Sequence, residues 1–333
     1  MTLDYRPLRE TDYDSFASLL NAASIVDGRA QHVVGEELRE EFESMPVDLP
    51  VDTLAAWRDD RLVGAVYMVN LRSTVREERC YVFGTVHPDD RGKGIGRRLL
   101  EWGLERGTEL LQSSGNDLPK YLRVDAPRVN TPAIRLFERL GLEPIRYFAD
   151  LRADLAEPTP ARRAPTRPVM SADTLQHAGA FHVVPWDLAR NEEARHVKNA
   201  AFKDHWGSTP TPPEWWATQT SGFGSRPDWS YFAVDGDDKI IGHLITHRFE
   251  NDDALLGAKY AWIDNIGTLA EWRGRGVASQ LINAALAKYR EEGMQFAALG
   301  VDSANPTGAY RLYESLGFRP WREFVNYQRI IRA

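Results

Sequence analysis

The sequence is poor in cysteine, with one residue, Cys80, in 333. That excludes an internal disulfide framework and a cysteine-based zinc site, and no metal is implied. A lone thiol suits a reducing compartment. Cys80 lies in a strand-like apolar run, CYVF, where it reads as buried packing rather than as a nucleophile. Long apolar runs are missing as well, so no membrane-spanning helix is expected. The first residues, MTLDYRPLRETDYD, lack the basic start and apolar stretch of a signal peptide. An excess of basic charge is also missing. The chain has 41 Lys and Arg against 48 Asp and Glu, a net charge of −7, which argues against a generic nucleic-acid binder. An acidic chain attracts cationic substrates, although solubility alone accounts for the same balance. The expectation is a cytoplasmic globular protein without nucleic-acid or membrane partners. At 333 residues it exceeds a comfortable single core, which predicts two domains.

What is there is a repeat. Gly84 to Gly96 reads GTVHPDDRGKGIG, and Gly267 to Ala278 reads GTLAEWRGRGVA. Each follows an apolar, strand-like run and precedes a segment with apolar residues at three and four spacings, the mark of an amphipathic helix. A second pair lies downstream, NTPAIRLFERLGL from Asn130 and NPTGAYRLYESLGF from Asn305, each ending its short helix at Leu-Gly. Thr85 and Thr268 are 183 residues apart, and Gly141 and Gly317 are 176 apart, so about half the chain is duplicated. The Pro, Ala and Arg-rich stretch EPTPARRAPTRPVMSADT between the copies reads as a linker. The predicted division is 1–155, a linker at 156–179, and 180–333. In each half a hairpin, turning at Asp59-Asp60 or Gly236-Asp237-Asp238, precedes the glycine motif. This order predicts an α/β class with a mixed sheet flanked by helices.

A strand that runs through a glycine-rich turn into a helix makes an anion cradle, because the first turn presents unpaired N–H groups and a partial positive charge. The candidate cofactor-binding set is therefore Arg91, Gly92, Lys93, Gly94, Ile95 and Gly96, with Arg273, Gly274, Arg275, Gly276, Val277 and Ala278 in the second half. A dinucleotide fingerprint does not fit, since the glycines are not spaced Gly-x-Gly-x-x-Gly and hairpin strands come before the motif. A Walker-type loop does not fit either, since no Gly-Lys-Ser/Thr closes it.

Arg-x-x-Gly-x-Gly/Ala, matched at Arg91–Gly96 and Arg273–Ala278, resembles the signature of the GCN5-related N-acetyltransferase (GNAT) family. The two-copy layout, with the segment AFKDHWG at Ala201 to Gly207, is similar to the tandem branch of mycothiol synthase type. The resemblance implies two GNAT-like domains, each a mixed, mostly antiparallel sheet flanked by helices. It also implies acetyl-CoA as co-substrate and acyl transfer to a primary amine of a small molecule by direct attack in a ternary complex. Acylation of a protein or peptide amine, and a non-catalytic CoA-binding role, stand as alternatives. A monomer or weak homodimer is expected.

The family's proton donor to the departing thiolate is a Tyr on the short downstream helix. It falls on Tyr313, whereas the first half carries Phe137 there, so the first half is expected to be catalytically degenerate. Asp264, inside the apolar run AWIDNI, is the candidate base. Its expected burial would favour a raised pKa, with His243 and His247 as alternatives. The thioester carbonyl is expected to meet backbone N–H groups from Ile266 through Gly267 and Thr268 to Leu269, where family strands carry a bulge. Leu269 and Ala270 should line the pantetheine, with Val86 and His87 as their counterparts. Asn305 either touches the CoA arm or caps its helix. His205, Trp206 and Trp216, in an aromatic and proline-rich stretch, are the candidate substrate residues.

Overall fold

A computed structural model describes residues 3–29, 31–71, 76–157, 180–203, 205–303 and 308–332. The chain forms two compact units. One comprises Met1–Phe148, Ala254–Leu256 and Arg322–Ala333, and the other Ala149–Asp253 and Gly257–Trp321.

In chain order the first copy contains β1 (Leu3–Arg6), α1 (Tyr13–Asp27), α2 (Gly35–Ser44), the short α3 (Leu49–Asp52), β2 (Thr53–Arg58), β3 (Arg61–Leu71), β4 (Glu78–Val86), α4 (Ile95–Gln112), β5 (Lys120–Pro127), α5 (Thr131–Arg139) and β6 (Glu143–Asp154). The second contains β7 (Phe181–Pro185), α6 (Asn191–Ala201), α7 (Pro213–Ser221), β8 (Tyr231–Asp235), β9 (Ile240–His247), the short α8 (Asp253–Leu256), β10 (Tyr260–Thr268), α9 (Val277–Glu291), β11 (Phe296–Asp302), α10 (Ala309–Ser315) and β12 (Arg319–Ile331). The predicted hairpins are present, with Asp59 and Asp238 taking the left-handed backbone at φ 53° and 61°.

In the first unit the strand order is β1-β2-β3-β4-β5-β12, antiparallel except for the parallel pair β4–β5. In the second it is β7-β8-β9-β10-β11-β6, antiparallel from β7 to β10 with β10–β11 parallel. Each parallel pair is joined by the helix that follows a glycine motif, α4 or α9, whose apolar stripe covers one face of its sheet. Cys80 has no exposed surface, and burial pushes its thiol up to about 12, as expected for packing rather than chemistry.

The strands that end the two copies are exchanged. Val325 and Tyr327 of β12 belong to the core of the first unit, and Ala149, Leu151 and Ala153 of β6 belong to the core of the second. A division at the linker does not reveal this. The alternation of a terminal strand specifies which face is buried but not which neighbour it pairs with.

Candidate active site

Both glycine motifs form the predicted strand-to-helix turn. Gly92 and Gly94, and Gly274 and Gly276, all have φ between 74° and 92°, and Gly94 and Gly276 are the N-caps of α4 and α9. A Cβ placed on any of the four would meet nothing within 4 Å. These glycines are therefore required by backbone conformation and face open space, rather than serving internal packing. The side chains of Ile95 and Val277 are buried in their cores, so they offer a ligand only their backbone. Thr268 Oγ1, at the end of β10, is a buried polar atom without a hydrogen-bond partner among the described residues.

The signature arginines do not point into the cradle. Arg91 Nε donates to the Val86 carbonyl at 3.1 Å, and its Nη atoms pair with Asp27 at the end of α1. Arg273 does the same work, donating from Nε to the Thr268 carbonyl at 3.2 Å and from Nη2 to the Ala201 carbonyl at 2.6 Å, at the end of α6. Each arginine ties the loop to the C-terminus of a helix, where a cation is favoured. Arg91 and Arg273, placed in the cofactor-binding set from the sequence, thus hold the loop's own structure with these groups.

The remaining loop cations differ between the units. Lys93 Nζ is bound to Asp90 at 3.0 Å and to the Asp89 carbonyl at 2.8 Å, and the fully buried Asp90 also holds Arg58 and Arg61. Arg275 lies over the Trp272 ring at 4.8 Å and has no acidic partner among the described residues.

The largest difference is in the strand before the loop. The pairing β3–β4 runs without interruption from Gly64↔Val86 to Leu71↔Arg79. The pairing β9–β10 breaks between Ile263 and Asn265, leaving Asp264 as an extra residue. This is a β-bulge, which puts consecutive side chains on one face and takes a backbone group off the ladder. It lies upstream of the predicted Ile266–Leu269 region. Leu269 N–H is committed to the Ile241 carbonyl at 3.0 Å. The bulge also shifts the correspondence between copies by one residue. His87 N–H bonds the Val63 carbonyl as Leu269 does that of Ile241, so His87 matches Leu269 and Val86 matches Thr268. His87 is further occupied as a cap, accepting from Asp89 N–H, while Ala270 is exposed.

Asp264 is exposed, contrary to its expected burial. Its Oδ2 accepts from Gln219 Nε2 at 2.6 Å, and His247 Nδ1 lies 3.8 Å from Oδ1. Beside it, Asn265 pairs with His243 at 2.8 Å. His243 has no exposed surface, and desolvation takes its pKa down to about 4, so it stays neutral. Gly267 is needed by close approach, because a Cβ there would meet His243 at 2.6 Å and Phe202 at 3.1 Å. Tyr313 is 7% exposed on α10, and burial pushes its hydroxyl up to about 12. Its ring stands tilted to Phe318 at 6.2 Å, and Phe137 stands likewise to Tyr327 at 5.5 Å.

Trp216 is a correction. It is 1% exposed, packs on Trp186, and donates its indole N–H to the Asn191 carbonyl at 2.8 Å, so it is a core residue. His205 and Trp206 are half-buried just beyond α6, with the His205 ring 5.4 Å from that of Phe202. Asn305 lies outside the described residues. Sequence reading passed over Lys198. It sits on the buried face of α6 with Ala194, Val197 and Ala201, and desolvation lowers its pKa to about 8. The three-and-four spacing that marks this face was the available signal.

The profile of the Acetyltransferase (GNAT) family matches residues 22–142 and 191–318. The chain belongs to the GNAT family. The two matched regions are the two copies of the repeat, so this is a tandem GNAT acetyltransferase. It is 30% identical to the mycothiol acetyltransferase of Thermobispora bispora over 73% of this chain and 74% of that one. It is 26% identical to that of Kocuria rhizophila over 83% of each. In fold it is similar to a GCN5-related N-acetyltransferase from Sphaerobacter thermophilus, with a TM-score of 0.73 at 24% identity over 99% of this chain and 96% of the other. It is also similar to a tandem GNAT protein from the clavulanic acid biosynthesis pathway, with a TM-score of 0.70 at 18% identity over 100% and 99%. Among the described residues no helix of this GNAT chain is long and apolar enough to cross a membrane.

Proposed function

We propose that the chain is an acetyl-CoA-dependent N-acetyltransferase acting on a primary amine of a small molecule by direct attack in a ternary complex, and that its second unit does the chemistry. The observation that carries this is a coincidence found in that unit alone: the bulge at Asp264, an Arg275 beside the glycine loop with no acidic partner among the described residues, and a tyrosine at position 313. Acetyl-CoA, when bound, supplies the activated thioester carbonyl. The open surface over Gly274 and Gly276 and the unpartnered Thr268 hydroxyl suit such a ligand. The first N–H groups of α9, with Arg275, would hold the diphosphate. The bulge offers a backbone N–H for the developing oxyanion.

Asp264 takes the proton that the attacking nitrogen loses, and Tyr313 gives its proton to the leaving sulfur. One N–C bond forms and one C–S bond breaks. High burial keeps Tyr313 protonated until that moment. Similarity to mycothiol acetyltransferases supports a small-molecule acceptor over a protein tail.

The test is release of free CoA from acetyl-CoA with a panel of primary amines. Turnover is expected, and Tyr313→Phe should lower kcat by about a hundredfold without changing the melting temperature. No CoA affinity and no turnover with any amine would overturn the reading.

A further inference from the structure

We propose that Lys198 and Asp264 read the two ends of a zwitterionic acceptor, Asp264 its ammonium and Lys198 a carboxylate, so that the acceptor is a small amino acid or a molecule carrying that pair of groups. This rests on the assignment of the second unit's bulged face as the amine side.

The argument begins with the position of Lys198. It occupies a site on α6 where the spacing calls for an apolar residue, and it is 8% exposed. An ammonium has three donors. Among the described residues this one makes a single hydrogen bond, to Thr211 Oγ1, and lies over the Phe202 ring at 5.6 Å. Thr211 is itself fixed, because its N–H donates to Asn199 Oδ1 at 2.8 Å and its carbonyl accepts from Arg195 Nη1 at 2.8 Å. The cation is thus held in place with donors to spare, and no carboxylate pairs with it among the described residues. A buried cation left short of partners is unfavourable, and an apolar side chain would fill the position without that cost. An anionic ligand would remove it.

The charges around Lys198 indicate where such a ligand would sit. Burial depresses the lysine, and the Asp264 carboxylate works in the opposite direction. The lysine's charge in turn helps hold His243 neutral, after desolvation. The packing gives the same placement: a Cβ on Gly267 of β10 would meet His243 at 2.6 Å and Ala201 of α6 at 3.3 Å, so the helix face that carries Lys198 lies against the β9–β10 face of His243, Asn265, His247 and Asp264. On that face the bulge has turned Asp264 toward Gln219 of α7. His243 Nδ1, buried there, has no hydrogen-bond partner among the described residues. A carboxylate and an ammonium held on one surface without an ion pair between them are complementary to a ligand carrying both charges.

The test uses the full chain, acetyl-CoA, and matched acceptors: amino acids, their carboxamides, and glucosamine as a polyol amine without a carboxylate. The acids are expected to exceed their amides in kcat/KM by about tenfold to a hundredfold. Lys198→Met should abolish the preference by raising KM for the acids toward that for the amides, and Lys198→Arg should keep part of it. Melting temperatures of both variants verify folding. Turnover of amides or glucosamine as efficient as that of the acids, unaltered in Lys198→Met, overturns this inference and leaves the acetyltransferase reading intact. Silence with every amine overturns both.

Discussion

The two units share a strand-loop-helix frame and differ in what each places around it. In the second, β10 carries a bulge, the loop cation has no acid beside it, and the short helix ends on Tyr313. In the first, β4 pairs without a break, Lys93 is neutralised by Asp90, and Phe137 replaces the tyrosine. Even the face above the strand has changed character. The positions matching His243 and Asn265 are Ala65 and Phe83, and Phe83 stacks between Tyr67 at 5.2 Å and Tyr81 at 5.9 Å. Keeping the frame after duplication preserved the fold, while the polar groups to which the proposed chemistry is assigned are found in one copy.

That contrast breaks most sharply at the bulge. Deleting Asp264 should let β10 pair as β4 does, with Ile263 followed directly by Asn265. The protein should fold and lose turnover by about a hundredfold to a thousandfold beyond the loss in Asp264→Ala, the cost of one oxyanion donor, because Asp264→Ala retains the bulge and removes only the proton acceptor. Steady-state CoA release for the two variants separates backbone from side chain, and equal losses would sink the role given to the bulge.

The next largest effect is on stability. His243 is neutral in the fold with its pKa near 4, against 6.5 when exposed. Its contribution is complete above about pH 6.5 and is lost as the pH falls toward 4, because the unfolded chain takes up the proton first. Between pH 7 and 5 the second unit should lose about 2 kcal/mol from this group. The first, with Ala65 in that place, has no such loss. Denaturant titration of the chain and of a His243→Asn variant at the two pH values measures the difference.

The mildest comparison uses the cradles. Gly276→Val and Gly94→Val should each cost about 1–2 kcal/mol for a side chain in the left-handed region. Only the first should also raise KM for acetyl-CoA, by about tenfold. An equal rise in both would mean that both units take part in donor binding.

The duplication, the hairpins and the two glycine turns were legible because each is written in local spacing. The difference between Tyr313 and Phe137 was equally plain once the copies were aligned. The bulge was not. The shared Gly-Thr pair invites an alignment that hides one residue, and only the hydrogen bonds of His87 and Leu269 show the true correspondence. The direction of Arg91 and Arg273 was illegible for another reason: a positive charge beside a phosphate-type loop suggests a ligand, yet both reach back to a helix end. Trp216 belongs to a segment whose composition suited a pocket, but its indole found a carbonyl inside the core. Burial of Asp264 was inferred from apolar neighbours along the strand, and a bulge is the feature that lets one residue leave that pattern.

That extra residue has a genetic corollary. Val86 and Arg91 are five positions apart, as are the matching Thr268 and Arg273, so the loops are equal in length and the extra residue lies upstream of them, inside β10. A single in-frame codon in β10, gained or lost, would suffice to separate a module that handles a carbonyl from one that does not. Retirement of one copy need not have begun at any side chain, and counts of conserved catalytic letters would pass over such an event.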